Sequence, residues 1–162
     1  MSSNHVHPLV KDTLIAGRTA QEDNRRKNRH GAFWEDRYHA TAIQADDHLH
    51  QCVVYIDLDM VRAGVVKHPR EWEDSGYREI HKPPSRYGII DLLELNALFG
   101  FADAAQFQET HGQWIEQALT RNLERENRWS EAIAVGRLAF VEMNTLTEHI
   151  LCESKARFTT AI

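Results

Sequence analysis

The chain has 162 residues, of which 42% are hydrophobic and 27% are charged, so it is long enough to bury one core of ordinary size. No stretch approaches the roughly 20 consecutive apolar residues that a membrane-spanning helix needs, and the polar N-terminus lacks a signal-peptide pattern. The two cysteines are too few for a disulfide framework. We therefore predict a cytoplasmic protein with no membrane partner.

The net charge of −5 is unevenly distributed along the chain. Residues 1–69 carry nine Lys and Arg against nine Asp and Glu, whereas residues 70–162 carry ten against fifteen. A negative total argues against a nucleic-acid partner, but the balanced first part contains one concentrated basic run, RRKNRH at 25–30.

The N-terminal part of the chain combines two predicted strands with one predicted helix. Residues 5–10 are predicted to form a strand in which His5 and His7 leave the same face, because side chains alternate along extended backbone. The segment 14–28 favours a helix, and the segment 33–43, rich in aromatic and β-branched residues, favours a second strand.

The basic run precedes aromatic residues, and this combination suits single-stranded nucleic acid. Lys and Arg neutralise phosphates, while aromatic rings stack on bases. A solvated basic turn at the end of a helix explains the same run without any ligand. The predicted DNA-binding residues are Arg25, Arg26, Lys27, Arg29, Trp34, Arg37 and Arg62.

The best-defined helix of the first half is predicted over residues 48–63, with an aspartate cap before it and Gly64 at its end. Apolar residues recur along it at near-helical spacing. Tyr55 and Asp59 are four residues apart and therefore share one face of this helix, which Arg62 continues.

Two imidazoles and a carboxylate can together bind a divalent cation. If the helix packs beside the first strand, His5, His7 and Asp59 supply such a set and leave positions open for a substrate oxygen. Tyr55 would then stand one turn away as a candidate nucleophile. The structural alternatives are incidental histidines, a solvated aspartate and a core tyrosine whose hydroxyl finds a partner.

The second half begins with a change in composition. Residues 68–88 hold three of the four prolines and two glycines, which predicts an irregular connector with Trp72 and Tyr77 packed back on the core. Beyond it, three helical stretches are predicted, the last with Ser130 as its N-cap. These stretches cover residues 90–98, 103–125 and 130–150.

Three sequence blocks resemble a known family. MSSNHVH is similar to the M-x-N-H-x-H segment of the single-tyrosine HUH transposases, the insertion-sequence-200 type that includes the REP-associated tyrosine transposases. GAFWEDRYHATAI resembles that family's G-x-x-W-x-x-R-Y/F strand. YIDLDMVRAGVVKHPREWEDSGY resembles its Y-I-x-L-N-x-V-R-A-G-x-V…P…W…S-x-Y block. The blocks occur in the family's order within residues 1–77.

The resemblance implies an α+β fold, with a ferredoxin-like (HUH) sheet remnant followed by a helical C-terminal extension. It divides the chain into a truncated transposase-like catalytic domain at 1–67, a connector at 68–88 and the helical extension at 89–162. Family members carry further residues before the HUH strand, so an N-terminally truncated domain is expected. A sheet without its first strand exposes an edge, which favours self-association.

The family's mechanism maps onto residues already singled out. In such enzymes the HUH histidines, here His5 and His7, bind Mg²⁺ or Mn²⁺ with a third side chain one turn after the nucleophile, here Asp59. The tyrosine, here Tyr55, attacks the scissile phosphate of single-stranded DNA and becomes joined to the 5′ phosphate. Asp59 departs from the family pattern, because the third metal ligand of family members is usually Asn, Gln or His.

We therefore expect a nucleoid-associated transposase that carries out DNA transposition on single-stranded DNA, as a monomer or a homodimer. Hairpins and repetitive elements are both candidate targets. A catalytically inactive remnant that only binds DNA is the alternative, and a helical interaction protein built on residues 90–150 is a third reading. Metal-dependent formation of a covalent protein–DNA adduct separates the first from the other two.

Overall fold

The computed structural model describes residues 9–10, 15–28, 41–45, 47–121 and 123–146. The chain divides into two compact units, Met1–Ala40 and Thr41–Ile162. This division falls before the predicted connector at 68–88, which lies within the second unit. Within the described ranges, none of the helices has the length and apolar character that crossing a bilayer requires.

The described part of the first unit consists mainly of one helix, α1 (Ile15–Arg26), which confirms the prediction for residues 14–28. Two arginines end it, where cations interact favourably with the negative end of the helix dipole. Of the predicted strand at 5–10, only residues 9–10 are described, and they have no regular secondary structure.

The second unit is mostly helical and contains a two-stranded parallel sheet. In its register Ala42 lies opposite Ala134 and Ile43 opposite Val135. The strands are β1 (Ala42–Ile43) and β2 (Ala134–Val135). The helices are α2 (Asp47–Asp57), α3 (Asp59–Arg62), α4 (Gly76–His81), α5 (Leu92–Leu98) and α6 (Ala104–Leu119). Short 3₁₀ turns cover Pro69–Glu71 and Asn127–Trp129, and residues 138–146 are helical. The described chain is therefore mixed helix and sheet, as the α+β class predicts, while a ferredoxin-like sheet stays a prediction.

Helices α2 and α3 occupy the predicted range 48–63 with one interruption. Leu58, with φ of −86° and ψ of 4°, separates them. Gly64, with φ of 71°, follows α3, because glycine adopts the left-handed conformation without steric cost. The N–H of Val65 then bonds back to the carbonyl of Met60 at 3.0 Å, which closes the last turn.

The predicted connector is structured and packs on the helices. His68 caps the first 3₁₀ turn and Ser75 caps α4, each through a side-chain acceptor. Ile80 of α4 is buried in a cluster with Leu95 and Phe107. The prolines therefore limit helix length here without preventing short capped helices.

Two hydrophobic clusters form the core of the second unit. The first joins α2 to the segment around β2, and the second joins α4, α5 and α6. The buried members of the first are Cys52, Tyr55, Trp129 and Val135. Those of the second are Ile80, Leu95 and Phe107.

The helices predicted beyond the connector are confirmed in part. Helices α5 and α6 form within 90–98 and 103–125, although α6 ends at Leu119. The helix predicted at 130–150 is wrong in its first half, because Ser130 follows a 3₁₀ turn and does not cap a helix. The chain forms β2 first and becomes helical at residue 138. Pairing with a distant strand overrides the local helical preference there.

Candidate functional site

Tyr55, the predicted nucleophile, lies in α2 with its ring in the first hydrophobic cluster. The residue is 8% exposed. Its ring is tilted against that of Trp129, with centroids 6.0 Å apart. The guanidinium carbon of Arg62 lies 3.7 Å from the centroid of the tyrosine ring. The ring is therefore a packing element, covered by a cation, whatever the chemistry of its hydroxyl.

Arg62 connects the predicted nucleophile to the predicted metal ligand. Its Nη2 donates a hydrogen bond to Asp59 Oδ1 at 3.0 Å, and the two side chains form an ion pair. The arginine side chain is 10% exposed, whereas that of Asp59 is 36% exposed. The predicted face of Tyr55, Asp59 and Arg62 is thus present, and we call these three residues the tyrosine face.

The predicted metal triad is represented by Asp59 alone, because His5 and His7 lie outside the described residues. Within the ranges that the structure describes, no group of three or more His, Cys, Asp or Glu side chains is arranged to hold a metal ion. A carboxylate oxygen is a donor type that Mg²⁺ and Mn²⁺ prefer. Since Oδ1 already accepts from Arg62, a cation at Asp59 would compete with the guanidinium.

The predicted DNA-binding cations Arg25, Arg26 and Lys27 lie at the end of α1 and are exposed. Arg25 pairs with Glu22, and Lys27 pairs with Asp23 at 3.1 Å. Exposed pairs at these helical spacings contribute only about 0.2 to 0.5 kcal/mol each, so phosphates can replace the acidic partners. The predicted residues outside the described part of the chain are Arg29, Trp34 and Arg37.

A buried ionisable pair lies near the tyrosine face and was not predicted. Asp57, at the end of α2, and His111, in α6, have side chains that are 3% and 0% exposed. Asp57 Oδ2 lies 3.0 Å from His111 Nε2, which is ion-pair distance, although neither atom makes a well-aligned hydrogen bond with any described residue. Asp57 Oδ1 accepts the backbone N–H of Tyr77 at 2.9 Å. One carboxylate thus ties α2 to both α4 and α6.

Two signals in the sequence point to this pair. His111 stands between Phe107 and Ile115 at four-residue spacing, so it interrupts the buried stripe of α6. Gly76 allows the close approach of Asp57, because a Cβ there would lie 2.9 Å from its Oδ1. Neither signal identifies the partner without the fold, since the pair joins residues of different helices.

Further polar and aromatic side chains surround the buried pair. His81 Nε2 lies 3.3 Å from His111 Nδ1. The ring of Tyr77 stacks on His81 with centroids 4.2 Å apart and meets the ring of His68 edge-on at 5.2 Å. His68 Nε2 lies 3.2 Å from Glu116 Oε1. We call this group the histidine junction, consisting of Asp57, His68, Tyr77, His81, His111 and Glu116.

The environment of His81 and Tyr77 in the histidine junction favours their neutral forms. Burial lowers the pKa of His81, and the neighbouring His111 lowers it further, whereas the Asp57 carboxylate acts in the opposite direction. Burial also raises the pKa of the Tyr77 hydroxyl. Both groups are therefore uncharged at neutral pH.

The second unit thus carries two polar arrangements on neighbouring positions of the chain. The tyrosine face contains the phenol, carboxylate and guanidinium that the sequence singled out. The histidine junction begins two residues after Tyr55, at Asp57, and fastens α2 to two other helices. No protein-family model, curated protein or solved structure matches the chain.

Proposed function

We propose that the chain is a single-tyrosine HUH transposase-like protein with a ferredoxin-like catalytic sheet, which cleaves and transfers single-stranded DNA with Tyr55 as its nucleophile. One observation carries the proposal. The guanidinium of Arg62 contacts both the ring of Tyr55 and the carboxylate of Asp59. A phenol, a carboxylate and a cation joined through one guanidinium are groups that can carry out phosphoryl transfer to a tyrosine.

The tyrosine face supplies the nucleophile and an anchor for the phosphate. The positive charge of Arg62 attracts the phosphate of the DNA to the phenol. The Tyr55 oxygen forms a bond to phosphorus and loses its proton, while the bond from phosphorus to the 3′ oxygen breaks and that oxygen takes up a proton. The 5′ phosphate stays on the tyrosine, and the free 3′ hydroxyl can reverse the reaction with another strand.

The family resemblance implies that Asp59 is a ligand of Mg²⁺ or Mn²⁺ together with His5 and His7, and such a cation would polarise the scissile phosphate. Without DNA, Arg62 partly neutralises Asp59 through their 3.0 Å contact. A bound phosphate offers Arg62 a second anionic partner and so frees the carboxylate for a cation. DNA and metal are therefore expected to bind with positive cooperativity.

Formation of a covalent adduct tests the proposal on the full chain. The protein is mixed with a labelled single-stranded oligonucleotide and Mn²⁺, and the products are separated under denaturing conditions. We expect a labelled protein band from the parent and none from Tyr55→Phe, because only the hydroxyl is removed. Tyr87→Phe is the control, since Tyr87 is 95% exposed and is the residue most open to non-specific reaction.

Each result of the adduct assay distinguishes catalysis by Tyr55 from its alternatives. An adduct that persists in Tyr55→Phe contradicts the role of Tyr55. Absence of an adduct from the parent rejects the catalytic proposal and favours a protein that binds DNA without chemistry. That second candidate is supported by the burial of Tyr55, because a tyrosine residue that is 8% exposed is also explained by packing alone.

Binding without chemistry is tested at the end of α1. Replacing Arg25, Arg26 and Lys27 with Ala is expected to flatten the salt dependence of single-strand binding by about two units of log–log slope, at roughly 0.7 per lost phosphate contact. The matched control replaces Lys82 and Arg86, which are exposed cations of the second unit. Equal slopes for the triple variant, the control and the parent would remove this helix end from the binding site.

A further inference from the structure

We propose that the histidine junction is a proton-sensitive lock that holds α4 against α2 and α6 at neutral pH and releases it on acidification. The proposal rests on the facing nitrogen atoms of the histidines and on the small number of carboxylates that can offset their charges. It is independent of the chemistry proposed for Tyr55.

The contact between His81 and His111 has room for one N–H hydrogen between the two facing nitrogen atoms. We assign the hydrogen of His111 to Nε2, because this nitrogen lies 3.0 Å from the Asp57 carboxylate, and this assignment leaves Nδ1 as an acceptor. In this tautomer His81 Nε2 is the donor across the 3.3 Å contact. If both rings become charged, two N–H groups and two positive charges face each other at this distance. Full protonation is therefore incompatible with the closed contact.

His68 presents the same conflict on the other side of Tyr77. Its Nδ1 accepts the backbone N–H of Arg70 at 3.0 Å, so its hydrogen lies on Nε2, which faces Glu116. Protonation places a second hydrogen on Nδ1, opposite the N–H of Arg70. The cap of the 3₁₀ turn before α4 is then lost.

Among the described residues, too few negative charges face the three histidines to offset full protonation. Asp57 on α2 is buried and offsets one positive charge. Glu116 on α6 is 64% exposed and is shared with Arg70, whose Nη2 lies 3.5 Å from it, so its attraction for His68 is screened. Tyr77, which touches His68 and His81, contributes no charge in its neutral form.

Helix α4 is the element that this conflict would release. It spans six residues, Gly76–His81, which is too short to be stable without tertiary contacts. Among its residues, Ile80 is fully buried in the second cluster, while Tyr77 and His81 bind through the junction. Because burial lowers the pKa of His81 in the closed state, the open state binds more protons there, so stability of the lock is lost as the pH falls below the ordinary histidine value of about 6.5.

Hydrogen exchange of the full chain tests the lock at the amides of residues 77–82. For each histidine that takes up a proton only in the open state, with an ordinary pKa of about 6.5, we expect the protection factors of these amides, corrected for intrinsic exchange, to fall about 25-fold between pH 7 and pH 5. Uptake of one to two protons therefore predicts a fall of about 25- to 600-fold. In the double variant His68→Gln and His81→Gln, which keeps neutral donors and acceptors, the fall is expected to be less than about threefold. His48→Gln, in the first turn of α2, is the control and should behave as the parent.

A fall of the parental size in the double variant, or equal protection of the parent at both pH values, would overturn the lock. If the double variant does not fold at pH 7, the parent alone still decides by NMR titration of its histidine rings. Cooperative titration that coincides with exposure of α4 supports the proposal. Independent single-proton titrations with α4 protected throughout refute it.

Discussion

Replacing Asp57 with alanine is expected to destabilise the second unit strongly. The carboxylate accepts the N–H of Tyr77 and faces His111 inside the protein. Removing one partner of a buried pair typically costs about 3 to 5 kcal/mol, and a lost acceptor for an N–H costs about 1 to 3 kcal/mol of that total. Because the bond to Tyr77 is only partly buried, we expect about 3 kcal/mol, a large share of a typical domain's stability.

Asp57→Asn should reduce the free energy of unfolding much less than Asp57→Ala. The amide oxygen still accepts from Tyr77, and the amide N–H₂ can donate to His111 Nε2 if the hydrogens of His111 and His81 both move to their other nitrogens. The close contact of a carboxylate with His111 is then exchanged for that of a neutral amide, at a cost of about 1 kcal/mol. The order of stability is therefore parent, then Asn, then Ala.

Urea unfolding followed by circular dichroism and tryptophan fluorescence measures these differences. Asp59→Ala is the matched control, because Asp59 lies two residues further along and its pair with Arg62 is partly exposed. Its loss should cost about 1 kcal/mol or less. If Asp57→Ala and Asp59→Ala reduced the free energy of unfolding equally, the reasoning on burial would be refuted.

Three other changes follow from the burial and backbone geometry. Phe107→Ala should cost about 3 to 5 kcal/mol because Phe107 is 1% exposed, whereas Leu93→Ala, at 84% exposure, should stay within about 0.5 kcal/mol in the same urea titration. Burial raises the pKa of Cys52 to about 11, so alkylation of this thiol at pH 8 should be slow until urea unfolds the chain. Mass spectrometry of the Cys52 peptide measures the rate, and equal alkylation rates in the folded and unfolded protein would contradict the expectation. Gly64→Ala should cost about 1 to 2 kcal/mol from backbone strain alone, because φ is 71° and the added Cβ would have no described atom within 4 Å beyond the neighbouring residues. A neutral effect on thermal unfolding would exclude that strain.

Local signals in the sequence account for the parts of the fold that were predicted correctly. Asp47 begins α2, Gly64 follows α3, and apolar spacing places α5 and α6 near their observed positions. Each signal acts within one or two turns of helix. Strand β2 could not be predicted this way, because its helical-looking sequence is fixed by hydrogen bonds from Ala42 and Gln44, far earlier in the chain.

The difference between short-range signals and long-range contacts also applies to the candidate site. Asp59 and Arg62 pair within one turn, as their spacing predicts, and Arg62 also covers the ring of Tyr55, although Leu58 separates α2 from α3. Asp57 and His111 come from helices that no short-range pattern connects. Polar residues at buried helix positions indicate that a partner exists, but only the tertiary fold identifies it.

The parallel pairing of β1 with β2 has a consequence for the newly synthesised chain. At roughly 5 to 20 residues per second, a ribosome takes about 5 to 18 seconds to pass from Ala42 to Ala134. Throughout that interval α2 can form, but Tyr55 lacks the ring of Trp129 against which it packs. A polypeptide released before Trp129 is translated therefore presents an unpaired strand and an uncovered helix face, the features that chaperones bind and that promote aggregation.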